Sequence, residues 1–285
     1  MKKVRRLVAS LLVVLLVALI PTSVFAMGYK GYIPTAGQEY YLDNGTGEWK
    51  LQGTFKYTYD SKGRIKKYVS TSASGYVYTA TYKWKGDYIV KVSASSSDGY
   101  AHNSSKTFKK NRIQKQKAVT VFDGKSTTYN DTYKWKGKKA TVTEKDSDGK
   151  VSIYTIKVNG KNKSVYYSSG DWTEKTSYYA NGNYKSTSYG TNGAEKTSYN
   201  KNGYPVKHIG IISHYNSDHV LIKTENYTRS FSYTMDKKKK CPKEKLETES
   251  HPDGTTYQSK TVYTSFKKVS GARNCDASGS SVPFG

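Results

Sequence analysis

The chain has 285 residues, with 47 Lys and Arg against 22 Asp and Glu, a formal charge of +25 and two cysteines. Tyrosine dominates its aromatics at 28 residues, and apolar residues make up only 35%. This balance allows at most one intrachain disulfide, offers no helical membrane span after the first residues, and sets up a field that concentrates anionic polymers at the surface.

Read from the start, MKKVRR is a basic segment, LVASLLVVLLVALI is an apolar one, and Ser23-Val24-Phe25-Ala26 presents residues acceptable to a signal peptidase. Residues 1–26 are therefore predicted to be a signal peptide cleaved after Ala26, the alternative being a retained anchor. No cysteine follows the apolar run, so a lipoprotein anchor is not expected. Removing Lys2, Lys3, Arg5 and Arg6 takes the charge from +25 to +21. The mature chain is expected to be secreted, extracellular or peripherally attached to the cell wall.

Residues 27–38 are rich in Gly, Tyr and Pro and read as an irregular lead-in. From Glu39 the chain reads as hairpins. Two aromatic-bearing arms flank Asp43-Asn44-Gly45, and Phe55, Tyr57 and Tyr59 alternate with Lys56 and Thr58 before a turn at Asp60-Ser61-Lys62-Gly63. Turn residues then recur every ten to thirteen positions from Gly75 through Gly99, Gly124, Gly149 and Gly170 to Gly203. Each interval holds one strand of about seven residues, roughly 23 Å of extended chain, plus its turn. TYKWKG occurs at Thr81 to Gly86 and again 51 residues later at Thr132 to Gly137. In the first copy Tyr76, Tyr78, Ala80, Tyr82 and Trp84 share one face and Thr79, Thr81, Lys83 and Lys85 the other, with Tyr88, Val90 and Val92 expected across the turn. Three Thr-Ser-Tyr units lead to Asn181-Gly182, Asn192-Gly193 and Asn202-Gly203, the dipeptide that tight hairpins favour.

The segment IGIISHY from Ile209 is the most aliphatic of the mature chain and is expected to form a better-buried strand pair around Tyr215 to Asp218. Lys237 to Lys240 with Pro242 predict a loop. The domain organisation is thus a repeat domain over 39–233, a C-terminal hairpin or cap over 234–270, and a flexible tail over 271–285. The predicted fold is all-β: an antiparallel meander of tandem β-hairpin repeats forming an elongated curved or spiral sheet.

Two resemblances add to this. Tyr59-Asp60, Gly63-Arg64 and Ile65 within YTYDSKGRIKKY resemble the YD repeat of bacterial RHS-type proteins, and YYANGNYK at Tyr178 to Lys185 resembles MORN-variant repeats. They imply a curved β-meander serving as shell, spacer or binding surface. The chain lacks the Asp-Pro-x-Gly motif and the toxin module of RHS proteins, and the MORN likeness implies no chemistry.

Chemistry is sparse. His208, His214 and His219 are the one histidine cluster, with zinc binding weighed against plain polar residues at a sheet end, and no metal is expected. Asp60, Asp98, Asp123, Asp148 and Asp253 all fall at predicted turns, where short acids cap the backbone. No nucleophile elbow, His-Glu-x-x-His or paired-acid motif occurs, so neither an enzyme nor a cofactor is expected. Cys241 and Cys275 are the possible disulfide.

Binding is the favoured function. Tyr82, Lys83, Trp84 and Lys85, with Tyr133, Lys134, Trp135 and Lys136, form the candidate ligand site, rings for stacking and lysines for charge. The expected partner of a monomeric chain is an anionic or glycan polymer of the envelope or surroundings, with nucleic acid bound only nonspecifically. A ligand-free spacer related to RHS proteins is the alternative, and an envelope hydrolase is a third reading. The lysines admit a second explanation, protection of strand edges against association.

Overall fold

The structure, a computed structural model, describes residues 29–61, 64–85, 88–110, 112–159, 164–170, 172–178, 184–190, 193–200, 204–215 and 221–272. The expected signal peptide, the tail beyond Ala272, His219, Cys275 and the turns at Asn181-Gly182 and Asn202-Gly203 lie outside these residues.

Among the described residues, eighteen strands follow one another. They are β1 (Tyr29–Asp43), β2 (Glu48–Tyr59), β3 (Ile65–Ser72), β4 (Val77–Lys85), β5 (Tyr88–Ser96) and β6 (Ala101–Lys109). Next come β7 (Arg112–Phe122), β8 (Lys125–Lys136), β9 (Lys139–Asp146), β10 (Val151–Val158), β11 (Ser164–Ser169) and β12 (Trp172–Tyr178). The last six are β13 (Tyr184–Gly190), β14 (Gly193–Tyr199), β15 (Pro205–Tyr215), β16 (Leu221–Met235), β17 (Pro242–Ser250) and β18 (Thr256–Ala272). Each pairs antiparallel with the next, and β1 pairs with both β2 and β18, so the sheet closes on itself.

The elongated open or spiral sheet expected from the sequence is therefore incorrect: the chain forms a closed up-and-down barrel. The error starts in the lead-in, which is strand from Tyr29. Pro34, which argued against a strand, sits at a register shift where its missing N–H is tolerated. The C-terminal hairpin is likewise no cap, since β17 and β18 continue the same ladder and β18 seals the wall against β1.

Where the turns are described, their spacing is as expected from the sequence, whereas those at Gly86, Asn111, Gly160, Gly182 and Gly203 lie outside the described residues. Gly75 and Gly99 reverse the chain with φ of 83° and 89°, in the left-handed region that favours glycine. Asp98 and Asp253 cap their turns, the latter accepting the Thr255 N–H at 2.8 Å.

Every described residue lies in this one sheet or its turns, so a side chain shielded from water is shielded by the inside of the barrel. Ala80, Ala118, Ala140 and Val142 are all 0% exposed and define the inner face. Around them runs an aromatic lining. Tyr263 meets Phe55 at 6.1 Å between ring centroids, Phe55 meets Tyr57 at 5.4 Å, Tyr57 meets Tyr68 at 4.9 Å, and Tyr68 meets Tyr78 at 6.1 Å. A second cluster gathers Ile113, Tyr133, Val142, Tyr154 and Ile156. In a chain poor in Leu and Ile these rings supply the buried apolar area. Gly37 lets the lining cross β1, because a Cβ there would lie 2.5 Å from the Phe55 ring.

Register shifts decide which residues turn inward near the hairpin ends. Between Lys83 and Trp84 the pairing slips, which sets Ile89 opposite Trp84 where simple alternation from Val92 gives Val90. Ile65 and Ile113 are buried beside equivalent shifts. The aliphatic run in β15 is not better buried than the rest: Ile209, Ile211 and Ile212 are all half-exposed.

Candidate binding surface

Alternation along each strand sorts the side chains to two surfaces. On β4 the inner side carries Tyr78, Ala80, Tyr82 and Trp84 and the outer side Val77, Thr79, Thr81, Lys83 and Lys85. On β8 the inner side carries Asp131, Tyr133 and Trp135 and the outer side Thr132, Lys134 and Lys136. The eight residues expected to form one site are thus divided by the wall. Lys83, Lys85, Lys134 and Lys136 face outward, Tyr82, Trp84, Tyr133 and Trp135 face the lumen, and no single ligand touches both sets.

The inward tryptophans are structural, and they repeat. Trp84 donates its indole N–H to the Ile65 carbonyl at 2.7 Å, and Trp135 donates to the Ile113 carbonyl at 2.7 Å. Each ring lies under the arginine before that isoleucine, Arg64 at 5.4 Å and Arg112 at 5.0 Å from the ring centroid. The Tyr-Asp motif has its own role here. Asp60 receives the Arg64 Nε at 2.7 Å and Nη2 at 2.6 Å, which orients the guanidinium over Trp84. Tyr59 donates to the Pro34 carbonyl at 3.0 Å, and Tyr233 makes the matching bond to Pro205 at 2.9 Å. Burial raises the Tyr82 and Tyr133 hydroxyls above their ordinary value.

Charge is partitioned in the same way. Glu39, Asp131, Glu144, Glu174, Glu195, Glu247 and Glu249 share the inner side by register. Across β14 to β18, Thr197, His208, Arg229, Glu249 and Tyr257 occupy one inner row. Arg229 pairs there with Glu249 and, at 3.5 Å, with Glu247, while Lys245, 4% exposed, reaches Glu247 at 3.2 Å. Burial holds His208 below its ordinary value and Glu39 above its own.

A second inner row, Lys106, Gln116, Asp131 and Glu144, crosses β6 to β9. Burial pushes Lys106 down to about 8. Burial, then the negative Glu144, pushes Asp131 up to about 7. Two steps back along the same side of β6, past Ser104, His102 is 1% exposed and sits 3.0 Å from the Thr120 hydroxyl. Of the histidines grouped in the sequence, His208 contacts the Thr197 hydroxyl at 2.9 Å and His214 pairs with Glu225 at 2.8 Å. No group of three metal-ligating side chains forms among the described residues. Cys241 is fully buried, which raises its thiol to about 11.

The outer side carries Lys56, Lys67, Lys91, Lys115, Lys117, Lys139, Lys145, Lys157 and Lys175, interleaved with Ser, Thr and Asn. A barrel wall that crosses a bilayer needs an outward apolar band, and each lysine near the midplane costs about 2–4 kcal/mol. On this wall lysines are spread among the exposed apolar residues, such as Val77, Val151 and Ile153.

Rings and lysines do meet outside, at places the sequence reading missed. Lys260 of β18 holds its ammonium 5.5 Å from the Tyr40 ring of β1 and 4.5 Å from the Trp49 ring of β2. Lys157, Tyr166 and Lys175 form a row across β10 to β12, with Lys157 4.5 Å from the Tyr166 ring and Lys175 5.6 Å from that of Tyr189. Each group joins residues from separate strands, so no short motif marks it.

No family model matches the chain, and no curated protein matches it either. Among solved structures it is similar to a porin-like protein from Bacteroides uniformis ATCC 8492, at 13% identity and a TM-score of 0.43, over 81% of this chain and 97% of that one. A porin-like protein from Bacteroides vulgatus ATCC 8482 matches at 10% identity and 0.35, over 80% and 97%. The TcdB2-TccC3-Cdc42 complex matches at 8% and 0.20, over 79% of this chain and 19% of that one. Likenesses this distant say nothing of activity, and the YD and MORN-like resemblances stay at the level of motifs.

Proposed function

We propose that this chain is an exported, non-enzymatic barrel whose outer wall binds an anionic polymer of the cell envelope or its surroundings. The observation that supports the reading is the partition of charge across a wall one residue thick. Acids such as Glu144, Glu195 and Glu247 lie inside, many of them beside Arg229, Lys106 or Lys245, whereas Lys83, Lys115, Lys117, Lys134 and Lys136 lie outside among hydroxyl side chains. A polymer outside therefore meets more positive charge than the net charge conveys. Its acidic groups are drawn by many weak contacts, without a single deep pocket.

The test is retention of the mature protein on an immobilised polyanion, polyphosphate, across a salt series. The Debye length falls from about 30 Å at 0.01 M to about 3 Å at 1 M salt, so binding by a distributed field is expected at the low end and lost at the high end. Reversing Lys115, Lys117, Lys134 and Lys136 to Glu, neighbours on β7 and β8, should move elution to distinctly lower salt. Absence of retention at 0.01 M salt would overturn the reading in favour of a ligand-free spacer.

A further inference from the structure

We infer that the outer groove along β1, ending at Tyr40, Trp49 and Lys260, is a subsite for an acidic polysaccharide. This rests on the outer wall being the polymer-binding surface and names the class of polymer.

The groove follows from the way the barrel closes. The β1 pairing shifts at Pro34/Ala36 and again at Ala36/Gly37, and these residues are too small to refill the wall. A depression of about 450 Å³ results, lined on the outer side by Ala36, Gln38, Thr54, Lys56, Val69 and Thr264. Gly37, Phe55 and Thr71 complete a lining that is mostly apolar, to which Gln38, the threonines and Lys56 add amide, hydroxyl and ammonium groups. Two positions further along β1, on the same side, Tyr40 donates to Gln38 Oε1 at 2.9 Å, which ties its ring to the mouth of the groove. Lys260 and Trp49 flank that ring from the two neighbouring strands. From Ala36 to Leu42 the strand offers roughly 20 Å of continuous surface.

The occupant follows from chemistry and topology. An extended peptide has no strand edge to join, because β1 is paired on both sides. A sugar ring has one apolar face for the aromatic platform and hydroxyls at its edge for Gln38, Thr54 and Thr264. A carboxylate on the ring matches Lys260 at one end and Lys56 at the other. Rings and lysines also meet at Lys157, Tyr166, Lys175 and Tyr189, but the groove sets a concave surface beside its rings, so it is where a generally attracted acidic chain would be read as sugar.

Trp49 also supplies the assay. Trp84, Trp135 and Trp172 share the inner side, Trp172 with its ring against Gly190, so an outside ligand reports through Trp49. Titration with tri-galacturonate should change the intrinsic fluorescence. Trp49→Phe should abolish that change, and Trp49→Ala and Lys260→Gln should each weaken binding, read by calorimetry, at least about tenfold, with Lys260→Arg restoring it. Maltotriose, a neutral trimer, should bind at least about tenfold more weakly. Polyphosphate retention should be unchanged in Trp49→Ala. Tri-galacturonate binding that ignores both substitutions would overturn the subsite and leave the wall reading standing. An oligo-dT strand that binds more tightly and loses affinity with the same substitutions would overturn the polysaccharide assignment. Failure of polyphosphate itself to bind would overturn the wall reading.

Discussion

His102 gives the most direct test of the inner face. It sits on β6 between Ala94 of β5 and Thr120 of β7, with Lys106 further along the same inner side. Its Nδ1 meets the Thr120 hydroxyl, and its Nε2 has no partner among the described residues. Burial, with the positive charge of Lys106, lowers it from the ordinary 6.5 to about 4. The folded protein therefore binds fewer protons here than the unfolded chain between those values, so this contribution to stability is present above pH 6.5 and lost as pH falls through about 4. The full gap corresponds to about 3 kcal/mol, of which about 2 kcal/mol is lost by pH 5. Asp131 acts the other way: raised to about 7, it stabilises at low pH and loses that contribution as pH rises through 7. The wild-type profile mixes the two, and His102→Gln separates them by removing the titration and keeping a neutral side chain beside Thr120. Urea unfolding followed by circular dichroism at pH 7 and pH 5 should show the wild type losing about 2 kcal/mol more than the variant. Equal losses in both proteins would refute the placement of His102 in a dry lumen-facing position.

The repeated tryptophan module predicts matched costs. Trp84→Phe and Trp135→Phe each strand a carbonyl, at Ile65 or Ile113, and each should lower unfolding free energy by about 1–3 kcal/mol. The double variant should equal the sum within about 0.5 kcal/mol. Gly210 lies against the Tyr227 ring, where any Cβ would collide, so Gly210→Ala should cost about 1–3 kcal/mol in denaturant melts. That cost should shrink in a Tyr227→Leu background, and an unchanged cost would place the strain elsewhere.

Much of this fold was legible in the chain. Evenly spaced glycines marked the reversals, and the alternation in Thr81 to Lys85 and Thr132 to Lys136 assigned rings and lysines to opposite faces of a strand. The candidate site nevertheless combined both faces, although neighbours along a strand point to opposite sides. Closure was not legible, because the pairing of β1 with β18 joins Tyr29 to Ala272 and Tyr41 to Ser259 across nearly the whole chain. Pro34, Ala36 and Gly37 also disguised β1 as loop, since strand propensity is weak where the register slips. A separate slip, between Lys83 and Trp84, sets Ile89 opposite Trp84, which simple alternation does not give. The outer cluster of Tyr40, Trp49 and Lys260 needs closure before it exists, so it could not be read from any one segment.

Closure also bears on why the strands carry so much lysine. In an open meander, lysines can be explained as guards against edge-to-edge pairing, and the sequence alone left that explanation equal to a polyanion partner. A closed barrel has no edge in its folded state, because every strand from β1 to β18 has two hydrogen-bonded neighbours. Lys115 and Lys117 on β7, or Lys134 and Lys136 on β8, guard nothing there: they sit mid-wall, flanked by paired strands. Solubility alone is served by either sign of charge, and acidic residues serve it better than basic ones. Yet Glu144 is placed inside, where burial raises it above its ordinary value, and Glu195 shares that side. An arrangement that places many acids on the lumen and, Lys106 and Lys245 apart, sets the lysines named above on the outside fits the anionic partner proposed for the outer wall, and edge protection of the folded barrel does not compete with it.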